Sequence, residues 1–466
     1  MKLTKMFAVV ALSSWGAVVQ AQPVTLANAW QQLQRVSDKL AADGEQVNAA
    51  QAEQQGAKDL YLPQLSIEGS YTRLEKPIEL DLTKLNPLAS MDLSSLPAQY
   101  AAIFASIPHS MFVTPFTEQE VYNASLRAMW PIYTGGQITA AQAIREAQVA
   151  EKQQQHELTR RELFTQLIDR YYAVDVSQSL VVTQQQLVNS LTTHYEHALK
   201  MEQQGQIAKV ELLNAEVALD DAKVTLGSAK RQLEMAQIAL RRLLHEPNAD
   251  AISPMFVLDT PPSLPQVTQL TLAQHPALKL LHSKEEQAKG LIDMENGKYK
   301  PTVYLYGNYT LYDDDSLVTE MTPDWMVGVG VRVPLITRDG RSGKVLAAKS
   351  ALLQARYTKA QTTQDLSLLV DQSYRQMQQA AEEISSLNTS RKLAKENLRL
   401  RELAFNQGLA TSVERVDAEL KLSAVNTRQL AAKYRYMQAY AQLMAVSGQL
   451  DDFIGYSKQQ EMKDAR

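Results

Sequence analysis

The chain has no cysteine. That excludes thiol catalysis, a disulfide framework, a cysteine-ligated zinc site and a lipid carried on an N-terminal cysteine. Glycine and proline are sparse, at 18 and 17 in 466 residues, and aromatic residues make up 7%. With Gln and Ala abundant, this composition suits long solvated helices and not a bundle of membrane-spanning ones. Neither charge dominates: 47 Lys and Arg stand against 51 Asp and Glu, a formal net charge of −4 that argues against general nucleic-acid binding. Beyond the N-terminus no apolar run reaches the ~20 residues of a transmembrane helix. The N-terminus itself has Lys2 and Lys5, an apolar run from Met6 to Leu12, and Val19-Gln20-Ala21. This pattern predicts a bacterial secretory signal over residues 1–21, removed by cleavage. An exported chain without a spanning helix enters a membrane only as a β-barrel.

What the chain does have is itself, twice. Trp130-Pro131-Ile132-Tyr133 returns 203 residues later as Val333-Pro334-Leu335-Ile336. Gln204-Gly205, Val210-Glu211 and Ala215-Glu216 return as Gln407-Gly408, Val413-Glu414 and Ala418-Glu419, at the same offset. A fixed length between matched punctuation means one long rigid element used twice, and an internal repeat sets the fold class before any local reading.

Each copy opens with two strands. Leu65 to Tyr71 alternates apolar and polar residues, as do Tyr122 to Trp130, Val303 to Tyr309 and Trp325 to Val333. Period-two alternation is the signature of a half-buried strand, and ~10 residues is the length of a membrane-crossing one. One face is apolar. The other carries small groups, amides and arginine. Aromatic residues such as Trp130, Tyr133, Tyr304, Tyr306 and Trp325 gather in and near these strands, as in interfacial girdles. The strand segments are 62–75, 118–134, 299–313 and 322–336. Four strands do not close a barrel, since the smallest membrane barrels use about eight. Other copies of the chain must complete it, and three copies would supply twelve. A small soluble antiparallel sheet is the other reading of the same pattern.

Gly135-Gly136 ends the second strand. From Gln137 to Gln203 there is neither proline nor glycine, which allows a helix on the order of 100 Å long. Leu212, Leu219, Leu226, Leu233 and Leu240 form one row on the following helix, with Ala215, Ala222, Ala229 and Ala236 three positions on. That is a heptad seam, and a strict seven-residue repeat implies left-handed supercoiling. The second copy keeps the small row, but Arg415, Gln429 and Tyr436 interrupt its leucine row, so the two copies must pack differently. The helical segments are 22–61, 136–246, 273–298 and 337–449, with 247–272 and 450–466 between and after them.

In this order and spacing the chain resembles the TolC-like outer-membrane efflux family. The resemblance rests on the strand, Pro and Gly turns leading into long Ala/Gln helices (Pro131 to Gly136, Pro334 to Gly343) and on the paired tips, 203–211 and 406–414. It implies a mainly α protein with membrane β-strands: a homotrimer sharing a 12-stranded outer-membrane barrel, set in lipid and continuous with a periplasmic coiled-coil tunnel. Residues 247–272 and 450–466 would form an equatorial belt. It also implies a passive exit channel of a tripartite efflux or type I secretion system. Its partners would be a periplasmic adaptor protein and an inner-membrane pump of RND, MFS or ABC type; no cofactor or enzymatic activity is implied. By position Glu211, Phe405, Glu414 and Asp417 match the family's periplasmic gate, where carboxylate rings favour cations. Ala410 stands where the family can carry an arginine, so closure here is expected to rest on packing and on other pairs. Gly205 and Gly408 would turn the tips, where the adaptor would make contact.

Other features compete with this reading. His194 and His197 are spaced i, i+3, as metal ligands can be, but no His-Glu-x-x-His pattern surrounds them and a solvated face is expected. Asp313-Asp314-Asp315 follows the third strand as a rim loop, able to meet divalent cations or lipopolysaccharide, or simply solvated. Gly135-Gly136 is no phosphate loop, lacking the Gly-Lys-Ser/Thr that would follow, and no Ser/His/Asp arrangement stands out. Residues 76–117 have no counterpart in the second copy: they are either an extracellular lid over the barrel mouth or a decoration outside it. A periplasmic coiled-coil adaptor and a membrane-embedded trimeric surface protein are the alternative functions.

Overall fold

The computed structural model describes residues 22–82, 97–106, 108–314 and 316–464. The expected signal at 1–21, residues 83–96 and 107 of the insertion, and Asp315 lie outside the described residues. The described residues form two units, each discontinuous in sequence: those within 49–149 and 283–355, and those of 22–48, 150–282 and 356–464.

The first of these holds the strands. Gln64–Arg73, Glu120–Tyr133, Thr302–Asp313 and Trp325–Arg332 make one four-stranded antiparallel sheet in chain order. Leu65 lies opposite Ala128, Ile67 opposite Leu126, Leu305 opposite Val329 and Gly307 opposite Val327, so the apolar positions share one face. That face is bare: Ile67 is 71% exposed, Val327 75% and Val329 64%. The other face differs between the copies. In the first, Arg127 Nη1 lies 2.7 Å from Glu68 Oε2. In the second, Tyr304 and Tyr306 lie across from Gly330 and Gly328, their rings filling the space a Cβ would take. These two tyrosines therefore belong to the polar face and not to an interfacial girdle on the apolar one. Of the insertion, Glu79–Asp81 pairs antiparallel with Val113–Pro115, and Ala98–Ser106 is helical.

Glycine is required where the second strand turns into helix. Gly135 and Gly136 have φ of 66° and 90°, a region that disfavours side chains. A Cβ on Gly135 would also lie 2.5 Å from the Gly297 carbonyl oxygen.

The second unit holds the return helices and most of the outgoing ones. We call Gln137–Gln203 and Arg341–Asn406 the first and second outgoing helices, and Lys209–Leu244 and Ser412–Ser447 the first and second return helices. None of the described helices is long and apolar enough to cross a membrane, which says nothing of a β-barrel. The heptad seam is buried where the leucine and alanine rows predict it, at Ala215, Leu219, Ala222, Leu226, Ala229 and Leu240. In the second copy the row-breaking Arg415, Gln429 and Tyr436 are buried as well. Each has found a partner: Gln429 Nε2 donates to Asn388 Oδ1 at 2.5 Å, and Tyr436 Oη accepts from the Leu258 amide at 3.2 Å.

The N-terminal helical stretch is broken at Ser37, into Leu26–Val36 and Asp38–Lys58. Its Trp30 packs edge-on against Phe164 at 5.3 Å, and Phe164 against Phe453 of the C-terminal helix Leu450–Asp464 at 5.5 Å. Such pairs each contribute roughly 0.5–1.5 kcal/mol beyond burial. Tyr171 Oη donates to the Val24 carbonyl at 2.7 Å and accepts from the amides of Ile252 and Ser253 at 3.1 and 2.9 Å. It thereby ties Gln22–Val24 to its parallel partner Ala249–Ala251.

Candidate functional site

The two hairpin tips make the same turn. Gly205 has φ 70° and Gly408 φ 71°. The Gln206 amide donates to the Met201 carbonyl at 2.8 Å, and the Leu409 amide to the Ala404 carbonyl at 2.8 Å. This six-to-one bond closes the end of an outgoing helix over a left-handed residue, and it recurs at the 203-residue offset. Gly205 and Gly408 are the residues the turn needs.

The return helices then begin differently. Thr411 caps the second: its Oγ1 accepts from the Glu414 amide at 3.3 Å, and Glu414 Oε2 accepts from the Thr411 amide at 3.2 Å. This reciprocal capping box satisfies two helix-end donors. The equivalent residue in the first tip is Ala208, which has no side chain to cap with. Glu211, the counterpart of Glu414, is thus released from its own helix end. Its Oε2 instead accepts from the Ser412 amide at 2.8 Å, on the other hairpin. There it adds negative charge to a helix N-terminus, where the helix dipole favours it.

Beneath Ser412 the two hairpins are joined by buried polar groups. His194 Nε2 and Ser412 Oγ are 2.6 Å apart, and both residues are buried. Phe405 covers the imidazole, ring centroids 4.7 Å apart, and packs with Ala198 and Ala215. One turn on, Arg415 Nη2 donates to Ser190 Oγ at 2.9 Å and lies 3.4 Å from Glu419 Oε2 and 3.9 Å from Glu402 Oε1. Ser190 Oγ in turn donates to Glu419 Oε2 at 2.5 Å. Burial lowers the Arg415 pKa from its usual value, against the pull of Glu419 and Glu402. Burial also pushes the His194 imidazole down to about 4, with the charges of Arg415 and His197 adding to the effect.

The four sequence-predicted gate residues divide accordingly. Glu211 bridges the hairpins, Phe405 is buried beside His194, and Glu414 caps its own helix and pairs with Arg401 at 3.3 Å. Asp417 is exposed. The solvated face expected for both histidines holds for His197 and fails for His194, which the second hairpin covers. Ser412 and Ser190 were not singled out in the sequence, and His194, Arg415 and Glu419 were noted there without being joined into a cluster. One local signal pointed to part of the set: an arginine in a leucine row, with a glutamate four residues on.

A family model described as outer membrane efflux protein matches residues 29–245 and 267–449, which take in both hairpins and the whole tip cluster. Among solved structures the chain is similar to CusC, in crystal structures concerned with folding and transmembrane channel formation, with a TM-score of 0.73 and 14% identity over 92% of each chain. It is also similar to the outer membrane protein VceC of Vibrio cholerae, with a TM-score of 0.72 and 14% identity over 91% of this chain and 96% of that one. A third is the open state of the MtrE outer membrane channel of Neisseria gonorrhoeae, with a TM-score of 0.70 and 17% identity over 91% and 89%. No curated protein matches the chain.

Proposed function

We propose that this chain, which belongs to the outer membrane efflux protein family, is the passive exit duct of a tripartite efflux or type I secretion system. Family membership makes it a non-enzymatic transport channel of the outer membrane, and so sets aside the adaptor and surface-protein alternatives. The finer reading is a homotrimer whose strands share one 12-stranded barrel, with a gate at the helical tips.

One observation supports closure of the sheet by further copies of the chain, and the family resemblance puts their number at three. Among the described residues the sheet has four strands with nothing paired to its two edge strands, and its apolar face is uncovered. Lipid does not tolerate an open sheet edge, because its unpaired N–H and C=O groups find no water there. Copies of the same chain provide matching edges, and three fourfold contributions reach the size range of membrane barrels. The duct takes its energy from an inner-membrane pump and meets that pump through a periplasmic adaptor at the tips, around Gly205 and Gly408. Glu414 and Asp417 present exposed carboxylates there, and Glu211 and Phe405 hold the tips together.

Native mass in mild detergent, after extraction from the outer-membrane fraction, tests this reading. A trimer is expected. A stable monomer with the same sheet would overturn closure by symmetry.

A further inference from the structure

The buried groups between the tips have a property that a packing role does not need. Helices can be held together by aliphatic side chains, as they are along the first return helix at Leu219, Ala222 and Leu226 against Leu187, Val188 and Leu191. Here the contact instead runs through an imidazole with a guanidinium nearby. His194 sits under Phe405, against Ser412 Oγ, in a pocket closed by the second hairpin. The charged groups around it come from every packed element. His197 lies on its own helix, Glu211 on the first return helix, Glu402 on the second outgoing helix, and Arg415 with Glu419 on the second return helix. The carboxylates are engaged: Glu211 with the Ser412 amide, Glu402 and Glu419 with Arg415. The charges that act on the imidazole are those of Arg415 and His197, and neither is a carboxylate. A charge on His194 would meet Arg415 in a buried site.

We propose that His194 makes the hairpin lock proton-responsive: the neutral imidazole holds the second tip on the first, and the protonated one drives them apart. The proposal rests on reading the tips as the gate. The mechanism needs no loss of a donor or acceptor, since Ser412 Oγ can accept from an imidazolium as well. What protonation adds is a buried charge of the same sign as Arg415, and a buried charge is relieved only by partners or water. Water reaches His194 when the hairpins part. The direction follows from the imidazole's depressed affinity for protons. The closed arrangement favours the neutral form, so the lock is complete above about pH 6.5. It weakens as pH falls and is spent near pH 4.

The test uses the full mature channel in planar bilayers, recording the fraction of time open and the reversal potential from pH 7.5 to 4. The wild type is expected to raise its open fraction on the order of a hundredfold across that range. His194→Gln keeps an amide for Ser412 and cannot titrate, so its open fraction should stay flat. Neutralising Glu414 and Asp417 should move the reversal potential and leave the His194 step in place. Because the chain has no cysteine, nitroxides at Gln204→Cys and Gln407→Cys report tip separation without touching the pocket, and the distance should lengthen in acid. An acid response in His194→Gln equal to wild type, or an unchanged label distance between pH 7.5 and 4, would overturn the lock. A wild type that never conducts would overturn the duct reading instead.

Discussion

The two tips have the same turn and opposite attachments. Both close on a left-handed glycine with the same six-to-one bond. Three residues later one carries Ala208 and the other Thr411, and that single difference redirects two equivalent glutamates. Glu414 serves its own helix; Glu211 serves its neighbour's. Leu212 in the first copy faces its own seam, whereas its counterpart Arg415 is buried with Glu419. A duplicated element has thus kept its shape and become asymmetric in its contacts, which lets one hairpin hold the other.

The largest effect should come from breaking that asymmetry at Arg415. Arg415→Leu restores the residue of the first copy, but it leaves Glu419 without its cation, with the Ser190 hydroxyl as its remaining named partner, in a site where only a tenth of its side chain is exposed. Removing one partner of a buried ion pair costs about 3–5 kcal/mol. Thermal unfolding followed by helical circular dichroism should show a clear loss for Arg415→Leu. Adding Glu419→Leu should recover most of it, since an apolar replacement of a whole buried pair is often neutral. If the double variant were as weak as the single, the arginine would matter through something other than its charge.

A subtler exchange sharpens the same comparison. Ala208→Thr gives the first return helix the cap that the second already has. A cap contributes about 1 kcal/mol, so the helix itself gains. Yet the new threonine offers Glu211 a reciprocal partner at home and competes with the Ser412 amide for it. The expected result is a helix more resistant to unfolding and tips more open to protease. Stabilisation of both would mean that Glu211 adds nothing between the hairpins.

Much of this architecture is legible in the sequence because the signals are local or periodic. Heptad rows mark the first seam, alternation marks the strands, and Gly205 and Gly408 mark the turns. The lock is not local. His194 is covered by Phe405 and Ser412, more than 200 positions away, and nothing in its own helix records that cover. On periodicity alone a histidine among Thr, Tyr and Glu reads as solvated. Arg415, Gln429 and Tyr436 were visible as interruptions, but a row cannot say whether an interruption faces water or a buried partner. The break at Ser37 also went unread, although its cause is local: Ser37 has an extended backbone, with ψ 109°, and its Oγ accepts from the Leu40 amide at 3.3 Å, capping the start of Asp38–Lys58.

The smallest expected effect lies in the sheet, where the copies diverge again at the same offset. Arg127 and Gly330 are equivalent, as are Ser125 and Gly328. The first copy fills its polar face with the Arg127–Glu68 pair, and the second with two tyrosine rings laid over glycine. Gly330→Ala would put a Cβ 2.3 Å from the Tyr304 ring, and Gly328→Ala one 2.6 Å from Tyr306. In each case the near atoms belong to the far end of a side chain that can rotate. The cost should therefore be that of an off-rotamer tyrosine, about 1 kcal/mol, and not that of a broken strand. Either variant should keep the oligomeric state of the wild type in detergent, with a slightly lowered melting temperature. The displaced ring has only the polar face to move into, which in a closed barrel is the lumen, so conductance should fall more than stability does. Unchanged conductance with an equal loss of stability would place the polar face away from the pore.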